Sequence, residues 1–455
     1  MKHRSKSAIN EKTKFMKIFF LGLLTTLGLH VACAQEPLQL SMQQAKELAL
    51  KNRFDVKANR YDVEIAAKEI KVKKQAFVPD LRITGNVSYH PQIQSVLVPP
   101  GFGGASEPTM LALGAKSISV YGLELNQPLL DAGLGTDIKL ARNSAGWEAE
   151  RNRGKEIEIK QRVSEAYLNV LLRDLQRQIA TKEASRYSEY YALAKGKYNN
   201  GALIENDYMR ARLDLQNATQ QATITSQQYE LSLNTLRHEL NVESTVGVVL
   251  SDSLEKSLQG ELPAADPNQT GNRTELRQLE FEQTDNQLRI KKQRQAVLPK
   301  LSVVANYSQQ FQNMDFNYNY TDGRWWSPFS AVGLKLNIPL TGHFTNKTSV
   351  SQLSLRAKQT DIKLQQQQAN ISHEITQAVI TLANARVNVS RTKDSYELAQ
   401  KVFLNQQQQL SFGALSYDAV LNTESSMASA EQGYITATYE FLLARLKYEM
   451  AVGTL

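Results

Sequence analysis

The sequence predicts a mainly α chain with a membrane β-barrel part, assembled from one structural unit used twice. Three observations carry that reading. First, landmarks recur in the same order. Asn52-Arg53 returns as Asn272-Arg273, Gly122-Leu123-Glu124-Leu125-Asn126 as Gly333-Leu334-Lys335-Leu336-Asn337, and Gly201-Ala202-Leu203 as Gly413-Ala414-Leu415, at offsets of 220, 211 and 212. Second, Leu129 to Leu262 and Leu340 to Leu455 are runs of 134 and 116 residues without proline. Third, the apolar period switches from helical to two directly after Pro79 and Pro299. A repeat this long is half a molecule, well beyond a solenoid unit of roughly 20–50 residues.

Residues 1–34 read as a signal peptide. Lys2, Arg4, Lys6, Lys12, Lys14 and Lys17 precede the apolar run Ile18 to Val31, and Ala32-Cys33-Ala34 is a small-x-small cleavage site. The alternative, lipidation of Cys33, meets His30 where a lipoprotein signal carries Leu. Removing the leader lowers the net charge from +8 to +3, which takes away most of the electrostatic case for nucleic acid. No later apolar run reaches about 18 residues, so no membrane-crossing helix is expected. The mean hydropathy of −0.41 is low for this length and points to an elongated chain or a wetted interior.

The first repeat covers 35–250 and the second 271–455, joined by a linker at 251–270. Each reads helix, strand, loop, strand, long helix, tip, long helix. Ser41 is a plausible N-cap for a helix running to about Ala76. Pro79 stops it, because proline lacks an amide hydrogen and biases its predecessor away from helix. Pro299 does the same in the second repeat, and Pro128 and Pro339 mark the other junctions between strand and helix. Leu81, Ile83, Val87 and Tyr89 alternate with Arg82, Thr84, Asn86 and Ser88. Leu301, Val303, Ala305 and Tyr307 repeat the pattern. The returning strands are Ile118 to Asn126 and Ala331 to Asn337, the former with a phase slip near Tyr121 that suggests a bulge. Apolar on one face and polar on the other, such strands suit a barrel with lipid outside and water inside. Loops at His90 to Ser117 and Gln309 to Phe329 join them, and Trp325 and Trp326 are candidates for the lipid–water interface.

The rest is helix. Val163, Tyr167, Val170 and Leu171, and likewise Ile371, Ile375, Ala378, Leu382 and Ala385, form narrow apolar stripes. A helix from Asp137 to Ala194 would span about 90 Å at about 1.5 Å per residue. Tyr198 to Gly201 and Leu410 to Gly413 are the hairpin tips, closed by glycines free to adopt positive φ. Four strands cannot close a membrane barrel, for which about eight is the minimum. Open edges are prohibitive in lipid, so other copies of the chain must complete the sheet.

These features together resemble the TolC family of outer-membrane efflux proteins, over essentially all of the chain after the leader. The residues that carry the resemblance are the junctions at Pro79-Asp80-Leu81 and Pro299-Lys300-Leu301, the Gly-Leu-x-Leu-Asn-x-Pro-Leu strand ends, Lys197-Tyr198-x-x-Gly201, and the terminal Ala451-Val452-Gly453-Thr454-Leu455. The resemblance implies a homotrimer with a twelve-stranded barrel in outer-membrane lipid and a helical tunnel in the periplasm. It implies docking onto a periplasmic adaptor and an inner-membrane pump, and passive export of small molecules or proteins. It also makes Lys197, Tyr198, Gly201, Leu410 and Gly413 tip or adaptor-contact residues.

The family closes its inner end with charged residues just after the tip glycines. Asp207 matches its position. In the second repeat Ala419 and Asn422 stand where the family carries Asp, Asp418 lies one residue early, and Leu415 replaces an Arg, leaving Arg210 as a substitute. Asp207, Arg210, Asp418 and Asn422 are thus the gate candidates.

Enzyme chemistry finds no support. His373-Glu374 opens an HExxH-like string, but Gln377 occupies the second ligand position, and His90, His238, His343 and His373 are dispersed. Gly101-Phe102-Gly103-Gly104 lacks the Lys-Ser/Thr of a phosphate loop. No cofactor or metal is expected. The rival reading is a periplasmic coiled-coil adaptor or scaffold, which has no use for four alternating strands.

Overall fold

The computed structural model describes residues 38–104, 106–258, 273–316, 326–412, 414–415 and 417–455. The leader with its cleavage point, most of the linker, Trp325 and Gly413 lie outside the described residues.

A short ribbon opens the chain, β1 (Leu38–Leu40), which pairs in parallel with β6 (Val248–Leu250). Helix α1 (Met42–Asn52) follows, begun by a capping box in which Ser41 Oγ accepts the Gln44 N–H at 3.3 Å and the Gln44 side chain accepts the Ser41 N–H at 2.9 Å. The expected single helix from Ser41 to Ala76 is in fact two. Arg53 is extended (φ −60, ψ 135) and separates α1 from α2 (Phe54–Gln75).

Beyond Pro79 come β2 (Asp80–Tyr89), a hairpin of β3 (Ser95–Val98) and β4 (Thr109–Ala112) within the segment expected to be loop, and β5 (Ser117–Leu130). Helix α3 (Ala132–Asn199) runs for 68 residues, about 100 Å at about 1.5 Å per residue, and α4 (Glu205–Leu240) returns from the tip. The one-turn helix α5 (Leu254–Ser257) sits in the inter-repeat region. The second half repeats the order as α6 (Thr274–Gln295), β7 (Lys300–Asn313), β8 (Trp326–Asn337), the 70-residue α7 (Gly342–Ser411) and α8 (Tyr417–Val452).

The long strands form one antiparallel sheet in the order β2-β5-β7-β8. The expected bulge at Tyr121 is absent. The β2–β5 register runs unbroken from Asp80↔Asn126 to Tyr89↔Ser117, and the irregularity lies at Pro128–Leu130 instead. The physical reason is the missing donor of Pro128, a residue that stands inside β5 rather than at a helix boundary. What slips near Tyr121 is the apolar pattern, which changes face while the backbone stays regular. Gly122 marks the spot, since a Cβ there would come within 3.0 Å of the backbone of Tyr307 and Ser308 on β7.

Helix order mirrors strand order. Beside the sheet the neighbours are α2-α3-α6-α7, and beyond the waist they are α4-α3-α8-α7. The wall therefore has four columns, two of them single helices (α3, α7) and two made of stacked pieces (α2 on α4, α6 on α8). The main core lies at the waist, where Ile159, Val163, Tyr167 and Val170 of α3 meet Leu236 and Leu240 of α4 and Leu442 and Tyr448 of α8. Tyr167 is fully buried, and its hydroxyl donates to Leu40 O and Asp252 Oδ2, both at 2.9 Å, tying the ribbon to α3.

Both stacked joints are held by the same device. Arg53 donates to the Glu239 carbonyl at 3.2 Å, to the Glu239 carboxylate at 2.6 Å and to Asp55 at 2.8 Å. Arg273 donates to the Ala451 carbonyl and to Glu374, both at 3.0 Å, and to Glu275 at 3.1 Å. Glu239 and Ala451 are equivalent at the repeat offset of 212, so each Arg takes up a carbonyl at the C-terminal end of the column below, where the helix dipole favours a cation. Those C-termini also match. Asn241 (φ 51) and Gly453 (φ 78) are left-handed, and Val242 and Thr454 donate back to Arg237 and Glu449 at 3.0 and 2.9 Å.

Burial pushes the Glu275 carboxyl up, but the Arg273 guanidinium and further hydrogen bonds outweigh it and hold it below the ordinary glutamate range. A depressed carboxylate stabilises the fold above its unfolded pKa and loses that contribution as pH falls through its folded value. Arg273→Ala should therefore lower the unfolding free energy by about 2 kcal/mol at neutral pH, less than for a fully buried pair because both carboxylates are partly exposed. Denaturant midpoints should show that deficit shrinking below about pH 4, where an unpaired Glu275 is protonated.

Candidate functional site

The sheet has one apolar and one polar face. Leu81, Ile83, Leu123, Leu125, Leu301, Val303, Leu334 and Leu336 share the first, with Ile83 80 % and Val332 82 % exposed. Arg82, Glu124, Asn126, Lys300 and Lys335 share the second, and Lys300 pairs with Asp131 at 3.0 Å. Toward the end away from the helices the apolar face carries rings, with Trp326 5.1 Å from both Tyr121 and Phe311. Apolar residues exposed on a regular sheet have no reason to exist in water, and an aromatic group at the rim suits a lipid interface. Strands β2 and β8 are the sheet's edges, each paired on one side only. Pro79 and Pro299 stand between helix and strand, and Pro339 lies two residues past β8.

At the opposite end each long hairpin turns through the same bond. Ala202 N–H donates to Lys197 O at 2.8 Å, with Gly201 at φ 71, and Ala414 N–H donates to Gln409 O at 2.9 Å. The side chains differ. Tyr198 stacks on Tyr208 at 4.9 Å and 8°, and Tyr191 stacks on the same ring at 5.8 Å with its hydroxyl 3.2 Å from that of Tyr208. The equivalents in the second repeat are Leu410, Val420 and Phe403. Lys197 is exposed and Leu410 half-buried.

Asp207 and Arg210 are exposed on α4, and the structure forms no ion pair between them. Asp418 lies in the first turn of α8, and Asn422 is exposed one turn further on. The tyrosine stack was missed by sequence reasoning; Tyr191 and Tyr198, seven apart on one helix face, were the available signal. Glu374, the acid of the HExxH-like string, is a partner of Arg273. Among the described residues no cluster of His, Cys, Asp or Glu could hold a metal, and no helix is long and apolar enough to cross a membrane.

The sequence profile of the outer membrane efflux protein family matches residues 46–242 and 268–454. The chain belongs to that family. The proteases secretion protein PrtF of Dickeya chrysanthemi is 20 % identical, with 91 % of this chain and 88 % of PrtF aligned. Among solved structures, CusC superposes with a TM-score of 0.72 at 18 % identity, covering 90 % of this chain and 92 % of CusC. The MtrE outer membrane channel of Neisseria gonorrhoeae gives 0.72 at 15 %, covering 90 % and 88 %.

As an outer membrane efflux protein the chain is an exit duct, seated in the outer membrane by its sheet and reaching into the periplasm with its helices. The exposed apolar strand face, the polar face and the roughly 100 Å helices are then one device. Each ring contact of the tyrosine stack is worth about 0.5–1.5 kcal/mol. Tyr208→Ala should loosen the first tip and speed tryptic cleavage at Lys197, whereas Tyr208→Phe, which keeps the stack, should leave the rate within about twofold of the parent, since a single half-buried hydroxyl bond at 3.2 Å contributes little net stability.

Proposed function

We propose that three copies of this chain close into a twelve-stranded barrel continued by a helical tunnel, the outer-membrane end of a tripartite efflux or type I secretion machine. One observation carries the proposal: the two free edges of the sheet run straight into helices with unpartnered apolar stripes. Strand β2 follows α2, on which Phe54, Tyr61, Ile65 and Val72 are exposed and lie within about 40° at about 100° per residue. Strand β8 leads into α7, whose exposed Phe344, Leu355, Ile362, Ile380, Val387 and Leu398 lie within a similar arc. Below the waist α4 extends the first stripe with Met209, Leu213, Ile224 and Leu231.

Neighbouring subunits thus meet along one seam, β2 on β8 and the α2/α4 column on α7. Because the four strands alternate in direction, that pairing is antiparallel and closes the ring without a mismatch. An adaptor would engage the two tips through Lys197, Tyr198 and Leu410, and an inner-membrane pump would choose the cargo. A wall lined by polar side chains imposes little selectivity of its own. Asp207 and Asp418, on the first turns of the two returning helices, would ring the inner end and attract cations.

Ile65→Asp and Ile362→Asp, each placing a charge in the seam, should abolish the trimer band that resists mild heating in gel electrophoresis. A trimer surviving both would overturn the seam. For the inner ring, Asp207→Ala with Asp418→Ala should weaken cation selectivity in single-channel recordings; unchanged selectivity and conductance would remove those two residues from the gate.

A further inference from the structure

Charge is spread unevenly along this chain. Residues 35–455 carry a net +3, yet the segments that lead into or out of the sheet, 66–79, 131–144, 286–299 and 341–354, are far more basic. They hold eleven Lys and Arg against three Asp and Glu, a surplus of eight. The three acids are already taken, Glu69 by Lys73, Asp131 by Lys300 and Asp137 by Lys292. Lys71, Lys74, Lys139, Arg142, Lys291 and Arg294 are all exposed, and among the described residues none of the six has an ion-pair partner.

Both repeats keep the same two cations. At the repeat offset of 220, Lys71 is equivalent to Lys291 and Lys74 to Arg294, although Val72 and Lys73 between them answer to Lys292 and Gln293. Lys292 is paired with Asp137 of α3, and Lys73 lies in the field of the same carboxylate, on the side of the polar sheet face where Lys300 meets Asp131. At about 100° per residue, Lys71, Lys74, Lys291 and Arg294 lie about 100–160° round their helices from Lys73 and Lys292. Lys139 and Arg142 lie about 140–160° round α3 from Asp137. All six therefore share the side of the apolar strand face. With α2 and α6 ending at Gln75 and Gln295, their four cations stand within about 6 Å of the last turn, at about 1.5 Å per residue. Lys139 and Arg142 stand about 10–15 Å below the head of α3 on the same scale. Between these cations and the strands lie Phe77, Val78 and Leu298, all exposed.

We propose that these cations form a collar that binds the phosphate headgroups of anionic phospholipid in the periplasmic leaflet of the outer membrane. Along the wall the order is apolar strand, bare apolar side chains, then unpaired cations. That order matches hydrocarbon, interface and phosphate in a lipid leaflet. Long Lys and Arg stems can lie along apolar surface while their charged ends reach the headgroups. Helix dipoles account for a cation in the last turn of α2 or α6, but not for Lys139 and Arg142, near the N-terminal end of α3, where a dipole offers a cation nothing. The collar depends on the seat of the sheet in the membrane and not on closure of the trimer.

Full-length protein in a neutral detergent is mixed with equal amounts of phosphatidylglycerol and phosphatidylcholine, and the lipids it retains are counted by native mass spectrometry. The parent should retain phosphatidylglycerol at least about fivefold over phosphatidylcholine, falling below about twofold when salt is raised to about 0.5 M. The combined variant Lys71→Gln, Lys74→Gln, Lys291→Gln and Arg294→Gln should lose the preference. Removing as many charges farther from the sheet, with Lys182→Gln, Lys195→Gln, Lys358→Gln and Lys401→Gln, should keep it. No preference in the parent, or a full preference in the collar variant, would overturn the collar. A collar variant that melts below the parent by the same margin with and without phosphatidylglycerol assigns the cations to helix stability alone, and overturns it as well. Should that variant not fold, the parent decides: phosphatidylglycerol must raise its melting temperature above that in phosphatidylcholine, and an equal or lower value overturns the collar. The same spectra report the oligomer, so a failure of the trimer reads separately.

Discussion

A bilayer core offers no partner to a backbone amide or carbonyl, and the rest of this structure follows from that fact. The edges at β2 and β8 each present a row of such groups, and each unpaired group in hydrocarbon costs several kcal/mol. In the proposed trimer a neighbouring copy satisfies both edges, because β2 and β8 run antiparallel. The helices inherit that solution. With α2 and α7 continuing the two edges, the proposed seam, set by hydrogen bonds in the membrane, would become a coiled-coil seam in the periplasm.

Legibility in the sequence followed the range of the forces involved. Pro79 and Pro299 announced the ends of helices because a missing donor acts on its immediate neighbours. Ser41 and the tip glycines were readable for the same local reason. Arg53 was not, since the helical pattern runs through it and the break depends on Glu239, 186 positions away. The β1–β6 ribbon, three residues a side, is too short to show a period. The phase slip at Tyr121 was visible, but an apolar pattern changing face looks the same as a bulge until the hydrogen-bond register is known. At the inner end, charges beside the tip glycines are legible by position, whereas the stacked tyrosines join residues of two helices across the turn and are not.

Duplication gave each half the same joint, and divergence then separated their roles. In the first half Arg53 is shared between Asp55 and Glu239, with Arg162 within 3.9 Å of both. In the second, Glu374 stands at the position equivalent to Arg162, and the carboxylate of the Glu239 position is gone, replaced by Ala451. The node thus survives with its charges redistributed onto α7. The tips tell the same story, one stiffened by stacked tyrosines and the other carrying Leu410, Val420 and Phe403 at the equivalent positions.

The columns of the wall alternate: stacked α2 on α4, continuous α3, stacked α6 on α8, continuous α7. In a closed trimer every joint at the waist would therefore be flanked by unbroken helices on both sides, as courses of brick are laid so that no vertical crack runs through. A tube built in this bond resists buckling under sideways load even though half of its members are cut at the same height. The short helices thus meet end to end without opening a line of weakness around the tube, because an unbroken helix backs each joint.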